Sequence, residues 1–210
     1  MSTLADAASL ATAGGTLVLA LATFSSVRSA NRAAKAAERS LLAGLRPVLA
    51  ASRLQDPEQK IRWNDDHWTR LPGGMAGVEL TDEVVYLTMS LRNVGSGIAV
   101  LHGWYVWPDT QSDRPHVAPD RFRRQARDLY VASGDISFWQ GALRDPTEDA
   151  FGPMAEAITV RQTITVDLLY GDHEGGQRAI TRFSITPAPT SDVWLCAVSR
   201  HWNLDRADPR

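Results

Sequence analysis

The 210-residue chain contains a single cysteine, Cys196. That excludes an intrachain disulfide framework and any zinc site built from several thiolates. An excess of charge is missing too. The 22 basic and 24 acidic side chains leave a net −2, which excludes a chain that grips nucleic acid over its whole surface. Lysine is scarce: only Lys35 and Lys60 stand among the basic residues, a genome-composition bias rather than a functional signal. No HExxH, Gly-x-Ser-x-Gly, GxxxxGK[ST] or GxGxxG string occurs. Zincin, α/β-hydrolase and phosphate-cradle chemistry therefore have no motif to rest on. His67, His102, His116, His173 and His201 include no i, i+4 pair of the kind that holds a metal on a helix. What is present, 44% apolar and 22% charged residues, is the composition of a folded protein.

The composition changes along the chain. Residues 1–46 carry five basic and two acidic side chains (net +3), and the remainder carries 17 and 22 (net −5). All seven tryptophans lie at or beyond Trp63. Two physical objects meet near Pro47. From Ala7 to Phe24 there is no charge, and 18 helical residues come close to the length that spans a hydrocarbon core. Leu10, Leu17, Val18, Leu19, Leu21 and Phe24 together favour insertion by about 3 kcal/mol, offset in part by Ser, Thr and Gly. The basic residues follow this run rather than precede it, the reverse of a signal peptide. The expected arrangement is one membrane span over 1–27, with the N-terminus outside and the C-terminal domain in the cytoplasm. The alternative is a soluble alanine-rich helix packed on a partner. Ala7, Ala11 and Gly15 recur every four residues, a small-residue stripe of the kind through which membrane helices self-associate.

Residues 28–46 read as a basic helical continuation. Arg28, Arg32, Lys35 and Arg39 share one face, placed either to meet anionic lipid or simply to be solvated. Arg46-Pro47 ends it. Residues 47–204 read as strands. Val84–Asn93 alternates with period two, Ile98–Trp107 follows, and the alternation of 158–170 is broken only by Gln162. Arg178–Ile185 and Val193–Trp202 complete the strong set. Weaker strands are expected at 48–54, 77–80, 128–132 and 136–139, and 119–126 as one or two helical turns. The expected fold is mainly β: an antiparallel, immunoglobulin-like β-sandwich behind a long N-terminal helix, with a partly open barrel as the alternative. Residues 205–210 are expected to be a disordered tail.

Two turns stand out. Asn93-Val94-Gly95-Ser96-Gly97 and Gly171-Asp172-His173-Glu174-Gly175-Gly176 each separate strong strands, either as binding loops or as turn chemistry alone. The string Leu91–Ala99 resembles the strand-turn-strand signature of many uncharacterised bacterial proteins with one N-terminal membrane helix, a basic alanine-rich connector ending in Arg-Pro, and a β-sandwich. Arg46-Pro47-Val48-Leu49, Tyr170-Gly171-Asp172 and Trp202-Asn203-Leu204-Asp205 are similar to the same pattern. The resemblance implies an architecture and assigns no activity.

Arg121, Arg123, Arg124 and Arg127 form the densest basic cluster, read either as a site for an anionic partner or as a solvated or ion-paired edge. Asp65-Asp66-His67 and Asp172-His173-Glu174 read as acidic loops, with metal binding the less favoured use. Cys196 lies in an apolar run and is expected to be a buried thiol. The tryptophans either fill the core or line a protein-binding patch. The resulting expectation is a non-enzymatic, membrane-anchored module that binds an unidentified protein. No cofactor or metal is expected, and nucleic acid is not an expected partner. Two alternatives stand beside it: a membrane-surface enzyme using Asp167, Asp172, His173 and Glu174, and a subunit of a membrane assembly.

Overall fold

A computed structural model describes residues 2–111 and 113–207, with side chains from residue 14 onward. The chain divides into two compact units, the first ending at Ala43 and the second starting at Gly44.

The first unit is helix α1 (Ser2–Gly44). Alanine supplies its propensity, and no proline interrupts it before Pro47. Leu17, Val18, Leu19, Leu21 and Phe24 are 62–71% exposed. Among the described residues no helix is long and apolar enough to cross a membrane. The uncharged run Ala7–Phe24 reaches back into residues 7–13, whose side chains lie outside the described set.

The second unit is mainly β. Its strands are β1 (Leu49–Ala51), β2 (Gln59–Arg62), β3 (Trp68–Leu71), β4 (Met75–Leu80), β5 (Val85–Asn93), β6 (Ala99–Trp107), β7 (Arg123–Val131), β8 (Ile136–Leu143), β9 (Ile164–Asp172), β10 (Arg178–Pro187) and β11 (Trp194–Asn203). A 3-10 turn spans Pro119–Arg121, and helix α2 spans Phe151–Thr159. Nine strands form one curled antiparallel sheet in the order β1-β5-β4-β11-β10-β9-β6-β7, with β8 paired to β5. β2 and β3 pair separately. The curl brings Leu87, Trp139, Trp104, Tyr170 and Phe183, from β5, β8, β6, β9 and β10, into one buried cluster. A smaller cluster of Phe122, Leu169, Ile180 and Trp202 lies apart from it.

The five strong strands form where alternation marks them, with one correction. Ile158 does not begin a strand: residues 151–159 are helix α2, which buries Phe151, Met154 and Ala157. The helix ends where Arg161 adopts φ +54°. Gln162 N–H then bonds to the Ala157 carbonyl at 2.8 Å, and Arg161 N–H to the Ile158 carbonyl at 3.0 Å, the paired bonds that close a helix through a left-handed residue. Gln162, the break in the alternation, marks this cap. A second correction concerns 119–126, where one 3-10 turn runs directly into β7. The β2–β3 hairpin has no counterpart in the periodicity, because Gln59-Lys60-Ile61-Arg62 contains one apolar residue. Its single inward residue, Ile61, is fully buried.

The Asn93–Gly97 turn is no hairpin. β5 pairs with β1, β4 and β8, whereas β6 pairs with β7 and β9. The segment crosses between two parts of the sheet and clasps the chain at Arg46–Val48. Asn93 is fully buried. Its amide donates to the carbonyls of Gly97 (2.6 Å) and Val131 (2.9 Å) and accepts from the N–H groups of Val48 (3.2 Å) and Gly95 (3.0 Å). A Cβ at Gly97 would overlap the Leu45 carbonyl, and one at Gly95 would overlap the Arg46 carbonyl and Val48 nitrogen. Arg46 donates to Asn203 Oδ1 at 2.6 Å and pairs with Asp205. Leu49 N–H bonds to the Tyr170 hydroxyl at 3.0 Å. The four short motifs behind the family resemblance thus meet at one structural clasp. Asp205 is bonded here, beyond the boundary drawn at 204, while residues 208–210 lie outside the described residues.

Candidate functional site

β7 and β8 are consecutive and joined by the short turn 132–135, in which Gly134 takes φ +75°. Sequence order favours a ladder between them. Instead β7 pairs with β6 and β8 with β5, so the hairpin splays and the curled sheet is left with a seam. No main-chain ladder joins the two strands among the described residues. β7 also bulges: Leu101 faces Leu129 while Gly103 faces Arg124, so Gln125–Asp128 stand opposite His102 alone. Side chains bridge the seam. Gln125 Nε2 donates to the Gln140 carbonyl at 3.1 Å, and Arg127 Nη2 donates to Gln140 Oε1 at 2.9 Å.

The seam holds a cleft of about 240 Å³ lined by Trp63, Trp104, Arg123, Arg124, Arg127 and Arg144. Gly141 shapes its wall, because a Cβ there would overlap the Trp139 ring. Three guanidiniums are racked on aromatic faces: Arg123 over Trp104 (5.3 Å), Arg127 over Phe138 (5.5 Å) and Arg144 over Tyr86 (5.5 Å). Such stacking orients the cation as well as stabilising it. Arg123 is paired with Glu148, and Arg144 with Asp65. Arg124 and Arg127 are exposed and have no carboxylate partner among the described residues. The cleft therefore carries uncompensated positive charge. Beside it, the Tyr86 hydroxyl donates to Asp65 Oδ2 at 2.6 Å. That bond, with Arg144, holds the Asp65 carboxyl well below the usual carboxylate range, and Asp65 in turn raises the Tyr86 phenol. His67 stacks on Tyr86 at 4.4 Å and contacts Glu79 at 2.7 Å. Two buried polar atoms of the cleft residues, Trp63 Nε1 and Gln125 Oε1, have no hydrogen-bond partner among the described residues.

The structure divides the basic cluster. Arg123, Arg124 and Arg127 line the cleft, whereas Arg121 leaves it and sits over Tyr105 at 5.8 Å. Arg144, Trp63 and Gln140 were not singled out from the sequence, since they come from distant segments and carry no motif. Asp167, Asp172, His173 and Glu174 do not converge. Asp167 is fully buried against Arg182. Asp172 is buried and accepts the Gly176 N–H in the β9–β10 turn, while His173 and Glu174 pair with each other at its exposed tip. On α1, Arg28, Arg32, Lys35 and Arg39 are exposed. A methyl at Gly15 would meet nothing within 4 Å, and the side chains of Ala7 and Ala11 lie outside the described residues. Among the described residues no group of three or more His, Cys, Asp or Glu side chains is placed to hold a metal.

Cys196 is buried, and desolvation pushes its thiol up to about 12. A protonated thiol is a poor nucleophile. The native protein should therefore resist alkylation by iodoacetamide at pH 8 and react promptly once urea unfolds it. Prompt native labelling would show the β11 edge to be open.

The cleft can chemically bind anions and amide groups. It brings together no activated nucleophile and base. No protein-family model, curated protein or solved structure matches this chain.

Proposed function

We propose that this chain is a membrane-tethered protein-interaction module: a sandwich-like β domain on the cytoplasmic side that captures an acidic partner in the seam between β7 and β8. One observation carries the reading. Arg124 and Arg127 have no carboxylate partner among the described residues, and Arg127, like Arg123 and Arg144, is racked on an aromatic ring, so the site is basic and preorganised before any ligand arrives. The tether is supported by the uncharged run Ala7–Phe24 and by the exposure of Leu17, Val18, Leu19, Leu21 and Phe24. Large apolar side chains left exposed together mark a surface for lipid or for a partner. The orientation is supported by Arg28, Arg32, Lys35 and Arg39 following the run. Ala7, Ala11 and Gly15 offer a face for self-association in the bilayer. Tethering raises the effective concentration of the groove toward membrane-bound partners.

After cell breakage and centrifugation without detergent, the full chain is expected in the membrane pellet. Affinity capture from those membranes should retain a protein that the Arg124→Glu/Arg127→Glu variant loses. A full chain left in the supernatant would end the tether. A captured set unchanged by the double substitution would end the role of the groove.

A further inference from the structure

We infer that the occupant of the groove is an extended, acidic segment of the partner protein that adds to the seam as a β-strand, an inference that rests on the interaction reading above. The edge comes first. β7 and β8 each have one ladder neighbour among the described residues, so each has an edge with no main-chain partner across the seam, on β8 capped only by the side-chain amides of Gln59 at the Ser137 carbonyl and Gln125 at the Gln140 carbonyl, and such an edge is a template for a further strand. At Gln125–Asp128 the bulge turns main chain away from β6. There the Gln125 side-chain amide already donates to the Gln140 carbonyl, as a strand's N–H would. Gln125 Oε1 and Trp63 Nε1, an acceptor and a donor without partners, are of the polarity that peptide groups complement. Gly141 and Ala142 line the β8 side, where the Trp139 and Trp104 rings pack over Gly141.

Charge selects the segment. Arg124 and Arg127 belong to the bulged stretch, over which β6 advances by only two residues, roughly 7 Å, between the partners of Arg124 and Leu129. The two charges therefore lie within a two-residue strand step, the spacing at which an extended chain presents carboxylates on alternate residues. Nucleic acid is disfavoured by the aromatics: Trp63 and Trp104 are only 3% and 5% exposed, and guanidiniums cover Trp104, Phe138 and Tyr86. Among the described residues that line the cleft, no ring is left open for a base to stack upon.

The probe is a short fluorescein-labelled peptide in which glutamate alternates with valine, titrated into the full chain in mild detergent and read by anisotropy. Saturable binding is expected, weakening by about tenfold in Arg124→Glu/Arg127→Glu, as expected when charges that face the ligand are reversed. The same variant should gain affinity for a lysine–valine peptide, which shows that it is folded. N-methylation of alternate amides along one edge of the acidic peptide should abolish binding with its charge unchanged. Equal binding of the N-methylated peptide would overturn strand addition. Equal binding of the lysine–valine peptide to the unaltered chain would overturn acidic selection. Tighter binding of a single-stranded oligodeoxynucleotide, or displacement by millimolar inorganic phosphate, would overturn the peptide as occupant. Sedimentation reads the tether separately: a soluble chain that binds the peptide leaves this inference standing, and a membrane-bound chain that ignores it does not.

Discussion

Arg182→Met should destabilise the β unit by about 3–5 kcal/mol, the usual cost of removing one member of a buried ion pair. Arg182 and Asp167 are both fully buried. The guanidinium spends all five donors. Nε and Nη2 donate to the two Asp167 oxygens, each at 2.7 Å, and the remaining N–H groups donate to the carbonyls of Gln111, Arg114 and Pro115. Its plane also lies over the Trp202 ring at 4.9 Å. Methionine fills much of the volume but leaves a buried carboxylate with no counter-charge and three carbonyls with no donor. The segment after β6 would lose its hold on β9 and β10. Adding Asp167→Leu should restore only part of the loss, because the carbonyls stay unpaired. Urea unfolding followed by tryptophan fluorescence measures this directly, since every tryptophan lies beyond residue 46. A loss below about 1 kcal/mol would mean the pair is hydrated in solution.

Asn93→Ala is expected to cost about 3 kcal/mol or more, from several buried groups orphaned at once at 1–3 kcal/mol each. One side chain serves two carbonyls and two N–H groups drawn from four places in the chain: Val48, Gly95, Gly97 and Val131. Alanine satisfies none of them. The Asn93→Asp variant separates hydrogen bonding from shape. The acid retains two acceptors, loses the amide donors and buries a charge, so its native pKa lies above the unfolded value. That variant should be weakest at neutral pH and should recover as pH falls through its raised native pKa, when the carboxyl takes up a proton and regains one donor. A loss that is small and independent of pH would place the side chain in water.

Much of this architecture is legible in the amino-acid sequence. Val85–Asn93 and Ala99–Trp107 declare themselves as strands because a half-buried strand must alternate every second residue. Cys196 reads as a core thiol from its apolar neighbours. The change in composition near Pro47 marks the boundary that the compact units follow at Gly44. Misreadings occur where a local pattern has two solutions. Residues 158–164 fit a strand until Arg161 takes the left-handed conformation that caps α2, a state that periodicity does not record. The turn at Asn93–Gly97 has hairpin chemistry, yet its flanking strands pair elsewhere, because strand partners are chosen by long-range burial.

By itself, then, the amino-acid order determined the long helix, the mainly β character of the remainder, the strong strands and the presence of a basic cluster, all set by interactions among near neighbours. Tertiary structure alone decided which strands keep an unpaired edge, that Arg144 and Trp63 join Arg124 and Arg127 at that seam, that Arg121 does not, and that Asp167 is spent on Arg182. Each of these depends on where the sheet curls and stops. That is settled by burying one shared core from strands far apart in the chain, a constraint that no single segment carries.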